Sequence, residues 1–108
     1  MKEITTAQFD TEVLQSEVPV LVDFYTDTCP PCRMMSPILN DIEENSAGAL
    51  KIVKIDAAAD GQFTASFSVS AVPTFVLFRR GERIGQIMGA RSRKEMQKWI
   101  DESFAAAS

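Results

Sequence analysis

Val18-Pro19-Val20-Leu21-Val22-Asp23-Phe24-Tyr25 runs through Thr26 and Asp27 into Thr28-Cys29-Pro30-Pro31-Cys32, and the fold turns on how this junction is read. The apolar run suits a strand covered on both faces, with Pro19 at its start, where a missing N–H is tolerated. Pro30 and Pro31 suit the first turn of a helix, whose amide hydrogens have no intrahelical acceptor. A strand therefore passes almost directly into a helix, with Cys29 at the helix start and Cys32 one turn further in. These are the only cysteines in the chain, and it has no histidine. A disulfide this short closes almost no loop and restrains the unfolded chain little. A zinc site would need to be shared between chains or completed by carboxylates. A Cys-x-x-Cys at a strand-to-helix boundary in an α/β chain reads instead as a redox dithiol. The helix dipole and unpaired amides stabilise a thiolate there, so Cys29 is expected to be the exposed nucleophile and Cys32 the resolving thiol.

Working outward, Thr5-Thr6-Ala7-Gln8 is a capping signal for a first helix, with Phe9, Val13 and Leu14 as its apolar face. In the helix after the cysteines, Met35, Leu39 and Ile42, with Ile38 beside them, form a core-facing stripe. Pro37 lies inside that helix, where it removes one hydrogen bond and bends the axis. Asn45-Ser46-Ala47-Gly48 reads as its stop. Leu50 to Ile55 is the next strand, Asp56 to Gly61 a turn-rich connection, and Gln62 to Phe67 a short helix. Thr74 to Arg79 and Arg83 to Met88 flank Arg80-Gly81-Glu82 as a hairpin. Ser92-Arg93-Lys94-Glu95 is a capping box, and Met96, Trp99, Ile100 and Phe104 give the last helix its buried face. Ala105 to Ser108 is expected to fray. The order βαβαβ, then αββα, implies a parallel core extended by an antiparallel hairpin, with helices on both faces.

Two features stand apart from this pattern. Asp23 lies inside an apolar strand, where its charged form is costly to bury and burial raises its pKa; a solvated strand face is the alternative. Val72-Pro73-Thr74 precedes a strand, and a generic X–Pro bond in a folded protein is cis in about 5% of cases. Together, Val22-Asp23-Phe24-Tyr25, Cys29-Pro30-Pro31-Cys32, Pro37 and Val72-Pro73-Thr74 resemble the thioredoxin family across nearly the whole chain. The family usually has Trp before the first cysteine and Gly-Pro between the two, and often Trp at the position of Tyr25. These departures bear on partners and redox potential, not on the fold.

The resemblance implies an α/β thioredoxin fold, a central mixed five-stranded sheet flanked by four helices, as a single domain over residues 1–108. It implies that Asp23 lies beneath Cys32 and handles its proton. It also implies that Lys54, by itself a surface lysine of the third strand, pairs with Asp23. Pro73 is implied to be cis and to face the cysteines, with backbone beside it pairing with an extended substrate. Thr28, Pro30, Pro31 and Val72 join that substrate surface, and Gly89 and Ala90 form its other wall, where small residues let a partner backbone approach.

Composition is compatible with this. At 108 residues and 45% hydrophobic, the chain can build one core. It lacks an apolar run of the roughly 18 residues a membrane span needs, and Met1-Lys2-Glu3-Ile4-Thr5-Thr6 lacks the apolar stretch of a secretion signal. A cytoplasmic protein is expected, where lasting structural disulfides are rare and catalytic ones transient. Net charge is −4 and unevenly spread, −7 over residues 1–78, +5 over residues 79–98 and −2 over the last ten residues. No aromatic residues interleave the basic ones, so no nucleic-acid partner is expected. The absence of a Gly-rich nucleotide motif argues against a bound flavin or nicotinamide, leaving the Cys29–Cys32 disulfide as the redox group and no metal. The expected activity is protein disulfide oxidoreduction, most simply reduction, by a monomer that receives electrons from a separate reductase. A disulfide oxidant or isomerase, and a non-enzymatic binding subunit or shared zinc site, are the alternatives.

Overall fold

The computed structural model describes residues 1–107. Its strands are β1 (Lys2–Glu3), β2 (Val20–Tyr25), β3 (Lys51–Asp56), β4 (Thr74–Arg79) and β5 (Glu82–Met88). Helix α1 (Pro30–Asn45) follows β2, α2 (Gly61–Ser66) follows β3, and α3 (Arg93–Ala107) follows β5. An irregular helical segment between β1 and β2 is the fourth helical element. The strands lie in the order β1-β3-β2-β4-β5, with β1, β3 and β2 parallel and β4 and β5 antiparallel to their neighbours. This is the mixed five-stranded sheet expected from the element order.

Side-chain alternation along β2 sorts the two cores. Val20, Val22 and Phe24 point to the face covered by α2 and the N-terminal segment, where Phe9, Phe63 and Phe67 pack edge-on or tilted. Leu21 points to the opposite face, with Met35, Leu39 and Ile42 of α1 and Met96 and Ile100 of α3. Asp23, two residues after Leu21, therefore faces α1. The same alternation brings Lys54 of β3 and Phe75 of β4, its partners in register, to that face.

Several expectations are corrected in detail. β2 begins at Val20, because the carbonyl of Pro19 is where pairing with β3 starts, accepting from Lys51 N at 3.0 Å. The first helix is a 3₁₀ turn (Thr6–Gln8) followed by a π turn (Asp10–Leu14), closed by Gln8 N to Thr5 O and Gln15 N to Asp10 O. Phe9 and Val13 are buried, but Leu14, the last residue of the π turn, is 36% exposed. Glu12 fastens this segment to the sheet between Lys2 and Lys51, and those bonds hold its carboxyl down near pKa 2. The short α2 starts at Gly61, since Asp60 caps it by accepting from Phe63 N at 3.0 Å. The hairpin turn is only Arg80-Gly81, both with positive φ (53° and 78°), and Glu82 already belongs to β5. The Ser92–Glu95 capping box forms reciprocally at 3.0 and 3.1 Å. α3 does not fray at Ala105 but continues to Ala107, whose carbonyl accepts from Arg79 Nη2 at 2.9 Å. Ser108 lies outside the described residues.

Candidate active site

Cys29 is the N-cap of α1, and Pro30 and Pro31 are its first two residues. Neither proline has an N–H to donate, so the first free amide of the helix is that of Cys32. It donates to Cys29 Sγ at 3.1 Å, while Arg33 N closes the first helical turn on Cys29 O at 3.2 Å. The two cysteines are joined as a disulfide, with their Cα atoms 5.2 Å apart. Cys29 is 8% exposed and Cys32 3%. The expected contrast between an open and a sheltered sulfur is thus reduced to a small difference in favour of Cys29, because helix capping draws Cys29 Sγ in against the first turn. Thr28, Pro30 and Pro31 are exposed around it.

Behind Cys32 a cleft of about 120 Å³ is lined by Asp23, Tyr25, Thr26, Asp27, Cys32, Arg33, Ser36 and Lys54. It has room for several waters. Asp23 is 1% exposed, and its Oδ1 has no hydrogen-bond partner among the described residues. Burial pushes its carboxyl up to about 7, and the Lys54 ammonium counteracts only part of that rise. At this exposure Asp23 does not lie on a solvated face of the strand. Lys54 is half-buried and stands over the Tyr25 ring at 4.9 Å from its centroid. The Tyr25 hydroxyl donates in turn to Glu3 of β1.

The Val72–Pro73 peptide is cis, and Pro73 is buried at the entry to β4. Gly89 N donates to Pro73 O at 2.8 Å, and Gly89 has φ +97°, a conformation suited to glycine. Two residues on, Arg91 N donates to Met35 Sδ on α1 at 3.4 Å. These bonds tie the Pro73 turn and the Gly89-Ala90 turn to the helix that carries the cysteines. Sequence reading missed Tyr25, Thr26, Asp27 and Ser36 as cleft residues. The i,i+4 spacing of Cys32 and Ser36 on one helix face was the available signal for Ser36. Among the described residues no group of three or more His, Cys, Asp or Glu is placed to hold a metal, and no helix is long and apolar enough to cross a membrane.

A disulfide capping a helix at the end of a parallel strand, with a protonatable carboxyl behind it, is the arrangement of a dithiol–disulfide oxidoreductase. The thioredoxin family model matches residues 1–102. The chain is 37% identical to the thioredoxin of Pyropia yezoensis over 83% of this chain and 84% of the relative. It is 32% identical to that of Rickettsia felis over 94% and 96%, and 31% identical to thioredoxin 1 of a Nostoc species over 92% of each. The chain belongs to the thioredoxin family, and its activity is thiol–disulfide exchange through a Cys-x-x-Cys pair.

Proposed function

We propose that the protein is a cytoplasmic reductant of protein disulfides, with Cys29 as nucleophile, Cys32 as resolving thiol and Asp23 as the acceptor of the Cys32 proton. The reading rests chiefly on one observation: the Cys29 sulfur is the acceptor at the N-terminus of α1, while Cys32 and the orphaned Asp23 carboxyl share the cleft behind it. In the reduced protein the Cys29 thiolate attacks one sulfur of a target disulfide, and the other target sulfur leaves as a thiolate that takes up a proton. Asp23 then accepts the Cys32 proton, directly or through water in the cleft, and the Cys32 thiolate attacks Cys29 Sγ. The target's second sulfur leaves and is protonated, and the protein is left with the Cys29–Cys32 disulfide. Two electrons and two protons have passed to the target. Lys54 sets the electrostatic field around Asp23.

Val72, the cis Pro73, Gly89 and Ala90 offer backbone to an extended target segment, and Thr28, Pro30 and Pro31 form the rim around Cys29. Thr28 presents less apolar area than an indole would, so this rim favours partners other than a standard thioredoxin reductase. A separate reductase returns the two electrons, and no further cofactor takes part. Insulin-disulfide reduction with dithiothreitol as donor, together with the equilibrium potential of the pair, tests the direction. A potential near the about −270 mV of thioredoxin with insulin turnover supports a reductant, and one near the about −120 mV of the oxidant DsbA contradicts it.

A further inference from the structure

The buried Oδ1 of Asp23 has no hydrogen-bond partner among the described residues, although a lysine is this residue's direct register partner on the neighbouring strand. Lys54 and Asp23 are opposite one another in the parallel β2–β3 pair and share the α1 face, yet they form no ion pair among the described residues. The Lys54 ammonium instead lies over the ring of Tyr25, within the range of a cation–π contact. The Tyr25 hydroxyl also donates to Glu3 on β1, itself in register with Lys54, but it is the ring face that meets the ammonium. We propose that Tyr25 is a positioning residue that parks the Lys54 ammonium on its ring, out of hydrogen-bond reach of Asp23, and so leaves that carboxyl able to hold a proton.

The other groups around Asp23 do not substitute for this. Phe75, its neighbour on β4, is apolar. Cys32 of α1 is in the disulfide. Arg33 is exposed and donates to the backbone carbonyl of Asp27 at 2.7 Å, so its guanidinium is turned toward that loop. Asp56, in register with Tyr25, accepts from Ala58 N at 2.9 Å. Among the described residues Lys54 is the cation that acts on the Asp23 carboxyl, and the Tyr25 ring competes for it. Closure would hold Asp23 ionised and deprive the resolving step of a proton acceptor that titrates near neutrality. The inference deepens the proton-acceptor role proposed above and rests on it for its functional meaning.

The test is a ¹³C NMR titration of the Asp23 carboxyl in the oxidised protein, where neither cysteine titrates. A Glu3→Gln background prevents a freed Glu3 carboxylate from capturing Lys54. In it, Tyr25→Leu is expected to lower the Asp23 midpoint by about one to three pH units, the effect of a newly closed ion pair. Adding Lys54→Met is expected to abolish that fall, and Tyr25→Phe, which keeps the ring, to leave the midpoint where it was. Tyr25→Met provides a second ring-less variant should Tyr25→Leu not fold. An unmoved midpoint in the ring-less variants overturns the proposal. So does a fall that persists with Lys54→Met, because Tyr25 would then act by excluding water. Failure of the proton-acceptor role shows up separately, as normal turnover by Asp23→Asn, which leaves this titration unaffected.

Discussion

At the scale of single residues, two side chains carry predictions through what they withhold. Pro31 occupies the second position of α1, from which an N–H can reach the N-cap side chain, and it has none to give. Pro31→Ala restores that donor beside Cys29 Sγ and is expected to lower the Cys29 thiol pKa and raise the reduction potential, as measured by thiolate absorbance and glutathione equilibration. Asp23 withholds a paired charge. Its folded pKa of about 7 lies above the unfolded value of about 3.9, so ionisation opposes folding. Below pH 4 the carboxyl is protonated in both states and the penalty is absent. The penalty grows as pH rises to about 7 and then levels off at on the order of 4 kcal/mol, at about 1.4 kcal/mol per pH unit. Asp23→Asn is therefore expected to slow turnover and to gain stability over the wild type between pH 4 and 7, by a margin constant above that. Denaturant titrations across this range check it, and parallel curves for the two proteins would contradict it. An acid inside Val-Leu-Val-Asp-Phe-Tyr was conspicuous in the sequence. The parking of Lys54 was not, because it depends on strand register and on which ring lies diagonal to the lysine.

At the scale of elements, regular pieces were legible and irregular ones were not. The stripe Met35, Leu39, Ile42 and the Ser92–Glu95 capping box led directly to α1 and α3. The N-terminal helix departed from its pattern because short 3₁₀ and π turns have no periodicity long enough to read. The β4–β5 turn was seen but drawn one residue too long, since glycine marks a turn without fixing its length. Its geometry carries a prediction. Arg80 has φ +53°, a conformation costing a non-glycine residue about 1–2 kcal/mol, and Asn-Gly is the favoured pair in a two-residue turn with both φ positive. Arg80→Asn is expected to raise stability by up to about 1 kcal/mol with activity unchanged, measured by thermal denaturation and insulin reduction. Gly85→Ala is expected to destabilise, because a Cβ there would stand 2.7 Å from Ser103 Oγ and 3.1 Å from the Trp99 ring of α3.

For the whole molecule, charge separation along the chain carries a prediction about partners. Arg93 is bound to Asp41, well along α1 from the cysteines, and contributes little free charge. Arg91 places Nη1 3.7 Å from where a Cβ on Gly89 would stand, beside the Pro73 turn, and Arg33 follows Cys32 on α1. At low salt, peptide disulfides with acidic flanks are expected to react several-fold faster than basic ones. The advantage should fall as salt rises and shrink in Arg33→Ser/Arg91→Ser. Equal rates at low salt would contradict it. The fold followed from the sequence because a strand, a Cys-capped helix and a hairpin allow few topologies; the cleft did not, because it gathers residues from β2, β3 and α1 that only pairing brings together. The division of labour between the two sulfurs is the centre of the account, and intact-mass analysis of single-cysteine variants tests it most directly. With a peptide disulfide, Cys32→Ser is expected to accumulate a mixed disulfide on Cys29 and stop there, while Cys29→Ser is expected to give neither adduct nor turnover. Accumulation of the adduct on Cys32 in Cys29→Ser, or normal turnover by Cys32→Ser, would contradict it.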